Sequence, residues 1–128
     1  DNLYISIRNK LLANSALTAV VGSRIYNLWR PGVDSTYPRI DFGQISSNTN
    51  ENRIHESFWQ FSIYDDDRDA INCLQISHLL EAALDWTNYA ATGFEVHWCE
   101  KLNGRMVGID DGDIAHWADD YMIRYRVT

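Results

Sequence analysis

Cysteine, proline and glycine are scarce in this chain, and each shortage removes a class of protein. Two Cys allow at most one bridge, and Cys73 and Cys99 lack the C-x-x-C spacing of zinc and redox sites, so they read as free, reduced thiols of a cytoplasmic product. Two Pro and seven Gly are too few for a linker-rich or low-complexity chain. No apolar run approaches the roughly 20 residues of a membrane helix, and the first residues lack the charged-then-apolar layout of a signal peptide. The expectation is a soluble chain that is neither membrane-bound nor exported. Basic residues are also short: 11 Lys and Arg stand against 18 Asp and Glu, a net charge of -7. Such a field repels phosphate, so a protein that grips nucleic acid is disfavoured, whereas one that lets DNA pass without sticking is compatible with it.

Catalytic signatures are absent too. There is no G-x-S-x-G, G-x-G-x-x-G or P-loop, and neither Cys lies in a setting that would activate a thiolate. His55, His78, His97 and His116 fall in four separate segments, without the i, i+4 spacing of a helical zinc pair. Ile109-Asp110-Asp111-Gly112-Asp113 groups carboxylates around a glycine but lacks the later bidentate Glu of an EF-hand, so it reads as an acidic turn. Asp65, Asp66 and Asp67 precede a helical pattern, where capping of free N–H groups accounts for them. No cofactor or metal is expected.

What the chain does have is material for a core. Its 128 residues are 45% hydrophobic, with five Trp and seven Tyr, enough for one domain but not for two. Leu3 to Ala13 carries Tyr4, Ile7, Leu11 and Leu12 on one helical stripe. Ser15 is placed to cap a second short helix, Ala16 to Val21, which Gly22 ends. Arg24 to Trp29 is apolar and extends briefly before a turn-rich loop over Arg30 to Ser35. Tyr37 to Ile45 alternates as a strand. Ser46 to Arg53 has no apolar side chain and reads as a solvated hairpin tip, leading into a strand over Glu56 to Tyr64. A longer helix then runs to about Trp86, with Cys73, Ile76, Leu80, Ala83 and Leu84 as its buried stripe. Phe94 to Leu102 alternates Phe94, Val96, Trp98 and Leu102 against Glu95, His97, Cys99 and Lys101, and Asn103-Gly104 is a turn signal at its end. The last strand, Trp117 to Val127, sets Trp117, Tyr121, Ile123, Tyr125 and Val127 against Asp120, Met122, Arg124 and Arg126.

The fold class is therefore α+β: a four-stranded, mainly antiparallel sheet with an N-terminal helix and one longer central helix packed on one face. Phe58, Tyr64, Tyr121 and Tyr125 add more rings than one sheet face needs, which favours burial against other copies of the chain.

The opening Ile7-Arg8-Asn9-Lys10-Leu11-Leu12-Ala13, followed by Ala16-Leu17-Thr18-Ala19-Val20-Val21-Gly22-Ser23-Arg24-Ile25-Tyr26, resembles the N-terminus of the tail terminator proteins of long-tailed bacteriophages, also called tail completion or head-to-tail joining proteins. Tyr37-Pro38-Arg39-Ile40-Asp41-Phe42-Gly43 is similar to the next segment of that family, Trp59 to Tyr64 with the helix Asp69 to Leu84 to its strand-then-helix middle, and Tyr121 to Val127 to its closing strand. Thr87 to Ala118 matches least. The resemblance implies a non-enzymatic structural subunit of the virion neck, made in the host cytoplasm, that assembles as a ring, usually a hexamer. Its implied partners are other copies of itself, the tail tube protein and the head connector or head-closure protein, with DNA passing through unbound.

Within that frame, Ser47, Asn48, Thr49, Asn50, Glu51, Asn52 and Arg53 are the candidate partner-contact loop, mobile in the free subunit and ordered on assembly. Glu51, Asp110, Asp111 and Asp113 are candidates to face the DNA channel. Readings from other classes are a small metal-assisted hydrolase built on the acidic and histidine residues, another neck or head-closure protein, and a monomeric binding module whose polar loop recognises a peptide.

Overall fold

Alternating apolar residues become the strands of a single sheet, and the helical stripes close over one of its faces. The computed structural model describes residues 3–29, 36–50, 52–66, 70–85, 87–91, 93–110 and 112–128, the stretch 87–91 as backbone only. In chain order the elements are α1 (Leu3–Leu12), α2 (Ser15–Val21), β1 (Ile25–Asn27), β2 (Arg39–Thr49), β3 (Ile54–Asp65), α3 (Ile71–Ala83), β4 (Thr87–Ala91), β5 (Phe94–Ile109) and β6 (Ala115–Val127). The expected loop over Arg30 to Ser35 lies outside the described residues, as do Asp67 and Trp86 near the expected ends of the central helix.

Among the described residues the sheet has six strands in the order β1-β2-β3-β6-β5-β4, not the four expected. The two additional strands are short edges. β1 pairs parallel to β2 over three residues, Ile25 to Asn27, and β4 pairs antiparallel to the start of β5. Three residues are too few for an alternation pattern, which is why β1 reads in the sequence only as a brief apolar stretch. The class, α+β with a mainly antiparallel sheet, stands.

Cross-strand register fixes which residues face the helices. Phe42 pairs with Phe61, which pairs with Asp119, and Ile40 pairs with Ile63, which pairs with Trp117. That face meets Ile7, Leu11, Leu17, Val21, Cys73, Ile76 and Leu80 from the three helices, all fully buried. Tyr4 of α1 stacks on Phe42 at 4.6 Å, and Phe42 stacks on Phe61 at 5.1 Å. The opposite face, carrying Tyr64, Gln60, Phe58, His116, Asp120 and Met122, has no helix over it among the described residues.

Four local expectations are corrected. Asn14, not Ser15, caps α2, its side chain accepting from the Leu17 N–H at 2.9 Å; Ser15 is the first helical residue. Asp65 does not cap α3. It is buried at the end of β3 and its Oδ2 accepts a hydrogen bond from Asn72 Nδ2 at 3.0 Å, while the helix starts after Ala70 in a left-handed conformation without a side-chain cap. Ser46 to Thr49 belong to β2, because their backbones pair with Phe58 to His55 of β3 even though nothing there is buried. Asn103-Gly104 is not a turn: β5 runs through it to Ile109, and the chain reverses at 110–114.

A bulge between Val96 and Trp98 produces the remaining difference. One extra residue in a strand exchanges its two faces, so Trp98 and Leu102, expected inside, are 48% and 51% exposed, and Cys99 turns toward the core instead.

Candidate functional site

The candidate contact loop is a strand end plus a tight turn. Ser47, Asn48 and Thr49 are ladder residues of β2, the turn is made by Asn50, Asn52 and Arg53 among the described residues, and Glu51 lies outside them. Asn50 builds it: its backbone N–H donates to Ile54 O at 3.0 Å, and its Oδ1 accepts from the Asn52 and Ile54 N–H groups at 2.9 and 3.1 Å. Such an Asx turn fixes the backbone without any burial. Arg53 follows with φ 61 and an exposed side chain.

The candidate channel acids do not form one group. Ile54 pairs with Arg126 and Asp65 pairs with Ala115, so the 50–53 turn and the 110–114 turn lie at opposite ends of the β3–β6 ladder. Twelve paired residues separate them, about 36–40 Å at the rise of a strand. Asp110 uses its Oδ1 to accept from Gly112 and Ile114 N–H groups, both at 3.0 Å, so its first role is to close the β5–β6 turn. Asp113 has φ 61 in the same turn, and Asp111 lies outside the described residues.

On the face without helices an aromatic and cationic cluster gathers around Tyr64. The guanidinium of Arg39 lies 4.3 Å from the Tyr64 ring centre and 5.0 Å from that of Tyr37, and its Nε is 3.3 Å from Asp41 Oδ2. His116 stacks on Tyr64 at 4.3 Å, and its Nε2 is buried without a hydrogen-bond partner. Burial, then Arg105 and Arg39, lower the pKa of His116. The folded protein thus protonates His116 at a lower pH than the unfolded chain does. Its contribution to stability is complete above the ordinary value of 6.5 and is lost as pH falls through that value toward the lowered one. Urea unfolding at pH values of about 7.5 and 5.5, bracketing the usual histidine range, should show the wild type losing more stability over this interval than His116→Gln. Equal losses would mean that the burial of His116 does not govern the acid limb.

A third feature, absent from the sequence expectations, is a buried charged network between α3 and the sheet. Asp119 is 0% exposed. Its Oδ2 accepts from Ser77 Oγ at 2.6 Å and its Oδ1 from Trp117 Nε1 at 2.8 Å, and Lys101 Nζ lies 3.5 Å from Oδ1. Lys101 also donates to Ser77 Oγ at 3.0 Å. Its sequence signal was parity, since Asp119 shares a face with Trp117 and Tyr121, and Ser77 sits one helical turn from Cys73 on the buried stripe. Beside this network an open cleft of about 530 Å³ is lined by His78, Glu81, Asp85, Cys99, Glu100, Lys101 and Tyr121 among others.

Of the four histidines, His55 stacks on Tyr125 and His97 lies 2.9 Å from Glu95 Oε1, so they remain dispersed. Among the described residues no three His, Cys, Asp or Glu side chains converge as a metal site would require. Cys73 and Cys99 form no disulfide with each other, and burial pushes the Cys99 thiol up to about 12, which keeps it protonated. No helix among the described residues is long and apolar enough to cross a membrane.

No protein-family model matches the chain, and no curated protein matches it significantly. Among solved structures it is similar to a chain from the virion of a native gene transfer agent particle, with a TM-score of 0.74 and 16% identity over 98% of this chain and 93% of that one. At that identity the two chains share their fold, nearly end to end.

Proposed function

We propose that this chain is a structural virion protein that assembles as a ring, hexameric by resemblance, at the neck of a phage-like particle, where it terminates the tail tube, joins it to the head connector and leaves a channel for DNA. The observation that carries this reading is the fold shared over almost the full length of a virion chain. The surfaces agree with it. From Asn103 to Ile109, β5 pairs only with β6 among the described residues, and Met106, Val107 and Ile109 are exposed along it. Exposed apolar side chains along an open strand edge are the kind of surface that a protein partner covers. A ring needs two different patches of one subunit to meet head to tail, and the tip at Asn50 to Arg53 and the open β5 edge are candidates for them. The acidic balance of -7 suits a wall past which DNA slides, with Asp110 and Asp113 the described candidates to line it.

Native mass measurement with and without tail tube protein tests the reading. The wild type should form closed rings that cap tubes at a fixed length. Replacing the three residues 51–53 with a two-residue Asn-Gly turn, which keeps Asn50 opposite Ile54 and removes Arg53, should leave the fold intact and weaken association. Tails completed at wild-type yield by that variant would reduce the tip to a connector.

A further inference from the structure

Two bulges set apolar side chains level with each other on the sheet face that no helix covers among the described residues. Gln44, Trp59, Tyr121 and Lys101 form one rung across the sheet from β2 to β5. Ile45 follows the first residue of that rung and Leu102 the last, each as the unpaired extra residue of a bulge, and a bulge re-aims the side chain it carries. Both are exposed, and both line a cleft of about 340 Å³ together with Phe58, Gln60, Arg105 and Asp120. The polar groups of the cleft are engaged within the subunit: Gln60 Nε2 donates to Ser62 Oγ at 2.8 Å and Arg105 Nη1 to Asp120 Oδ2 at 2.6 Å. What the trough leaves for an occupant is its apolar walls. They stand three strand spacings apart, about 14–15 Å, which admits one helix of about 10–12 Å diameter and exceeds what a single extended strand would fill.

We propose, resting on the ring reading, that this trough seats α3 of a second copy of the chain through Ile71 and Leu74. The helices differ in what they expose. Among the described residues α1 offers one large apolar side chain to solvent, Ile5, and α2 one, Val20, whereas α3 offers both Ile71 and Leu74, which at i, i+3 are neighbours on one helix face. Neither is needed by the core, since Cys73, Ile76 and Leu80 hold α3 to the sheet from its other side. The contact must be intermolecular, because α3 covers the opposite face of the same sheet. Packing the helix layer of one copy against the bare sheet face of the next joins two unlike patches, as a head-to-tail interface requires, and it leaves the sheet covered by helices on both faces, a standard layer architecture.

Native mass spectrometry over a dilution series, with circular dichroism to verify folding, tests the contact in wild type, Leu74→Asp and Leu102→Asp. Both positions are exposed, so each subunit should fold. Each variant sets a carboxylate in an apolar contact and should raise the concentration for half-assembly at least about tenfold. A second measurement identifies the partners. Leu74→Cys and Leu102→Cys subunits, assembled as a mixture and treated with a short bis-maleimide, should give a covalent dimer, whereas each variant treated alone should match the wild type, whose own thiols provide the blank. If Leu74→Asp or Leu102→Asp forms rings at the wild-type concentration, or the mixture gives no covalent dimer, or Leu74→Cys links to itself, the helix-in-trough contact is overturned and the ring reading survives. A wild type that stays monomeric at every concentration, with and without tube protein, overturns the ring reading and this contact with it.

Discussion

Asp119→Ala is expected to lower the stability of the fold by about 3–5 kcal/mol, the usual consequence of removing one partner from a buried, hydrogen-bonded charge cluster. The carboxylate is the hub of its network: Ser77 and Trp117 donate to it and the Lys101 ammonium lies 3.5 Å away. Without it, the fully buried Ser77 and the Trp117 indole lose their acceptor and the ammonium keeps only Ser77 and a 4.0 Å approach to the exposed Glu81. Asp119→Asn retains the shape and one acceptor oxygen, so it should cost less, about 1–3 kcal/mol. Gly104 supplies an independent check. It pairs directly with Asp119 across the ladder, and a Cβ there would stand 2.7 Å from Asp119 Oδ1. Three partners hold that oxygen's carboxylate in place, so Gly104→Ala should destabilise by about 1–3 kcal/mol through overpacking. In the Asp119→Ala background the obstacle is gone, and the cost of Gly104→Ala should largely vanish. Urea unfolding of the four proteins forms a double-mutant cycle. Additive losses would show that Gly104 and the carboxylate do not compete for the same space.

That pair of residues also explains where the sequence was legible and where it was not. Asn-Gly is a strong local signal for a hairpin turn, but Gly104 is required here by a carboxylate 15 positions later in the chain, and no local pattern carries that information. The helices were readable because their stripes are local: α1, α2 and the buried Cys73, Ile76, Leu80 series of α3 stand where periodicity put them. Gly22 was readable as a stop and adopts φ 59. β3 and β6 kept their alternation because both are central strands whose faces are fixed by burial on one side. β5 lost its alternation because bulges at three places shift its phase, and a bulge leaves no signature in composition. Of the candidate site, the polarity of the β2–β3 tip was visible, whereas its preorganisation by Asn50 was not. Tyr121, expected among surplus interface rings, is instead a core ring with its hydroxyl buried. The Asp119 cluster could have been found by applying strand parity to the acids as strictly as to the aromatics.

The second large effect is expected at Phe61. Truncation to Ala should destabilise the protein by about 3–5 kcal/mol, combining the lost burial of an aromatic side chain with the cavity it leaves. Phe61 is fully buried at the centre of the sheet. Its ring stacks on Phe42 at 5.1 Å with planes 8° apart, and meets Tyr121 edge-on at 5.2 Å and 76°. Phe42 in turn carries Tyr4 of α1, so one ring connects the N-terminal helix to the strand behind the cleft. Phe61→Leu fills most of the volume and should cost less, below about 1.5 kcal/mol if neighbours repack. Ile71→Ala, at a position 58% exposed on α3, serves as the surface control and should change stability by no more than about 0.5 kcal/mol. A loss below about 1.5 kcal/mol for Phe61→Ala would mean that the core collapses into the space.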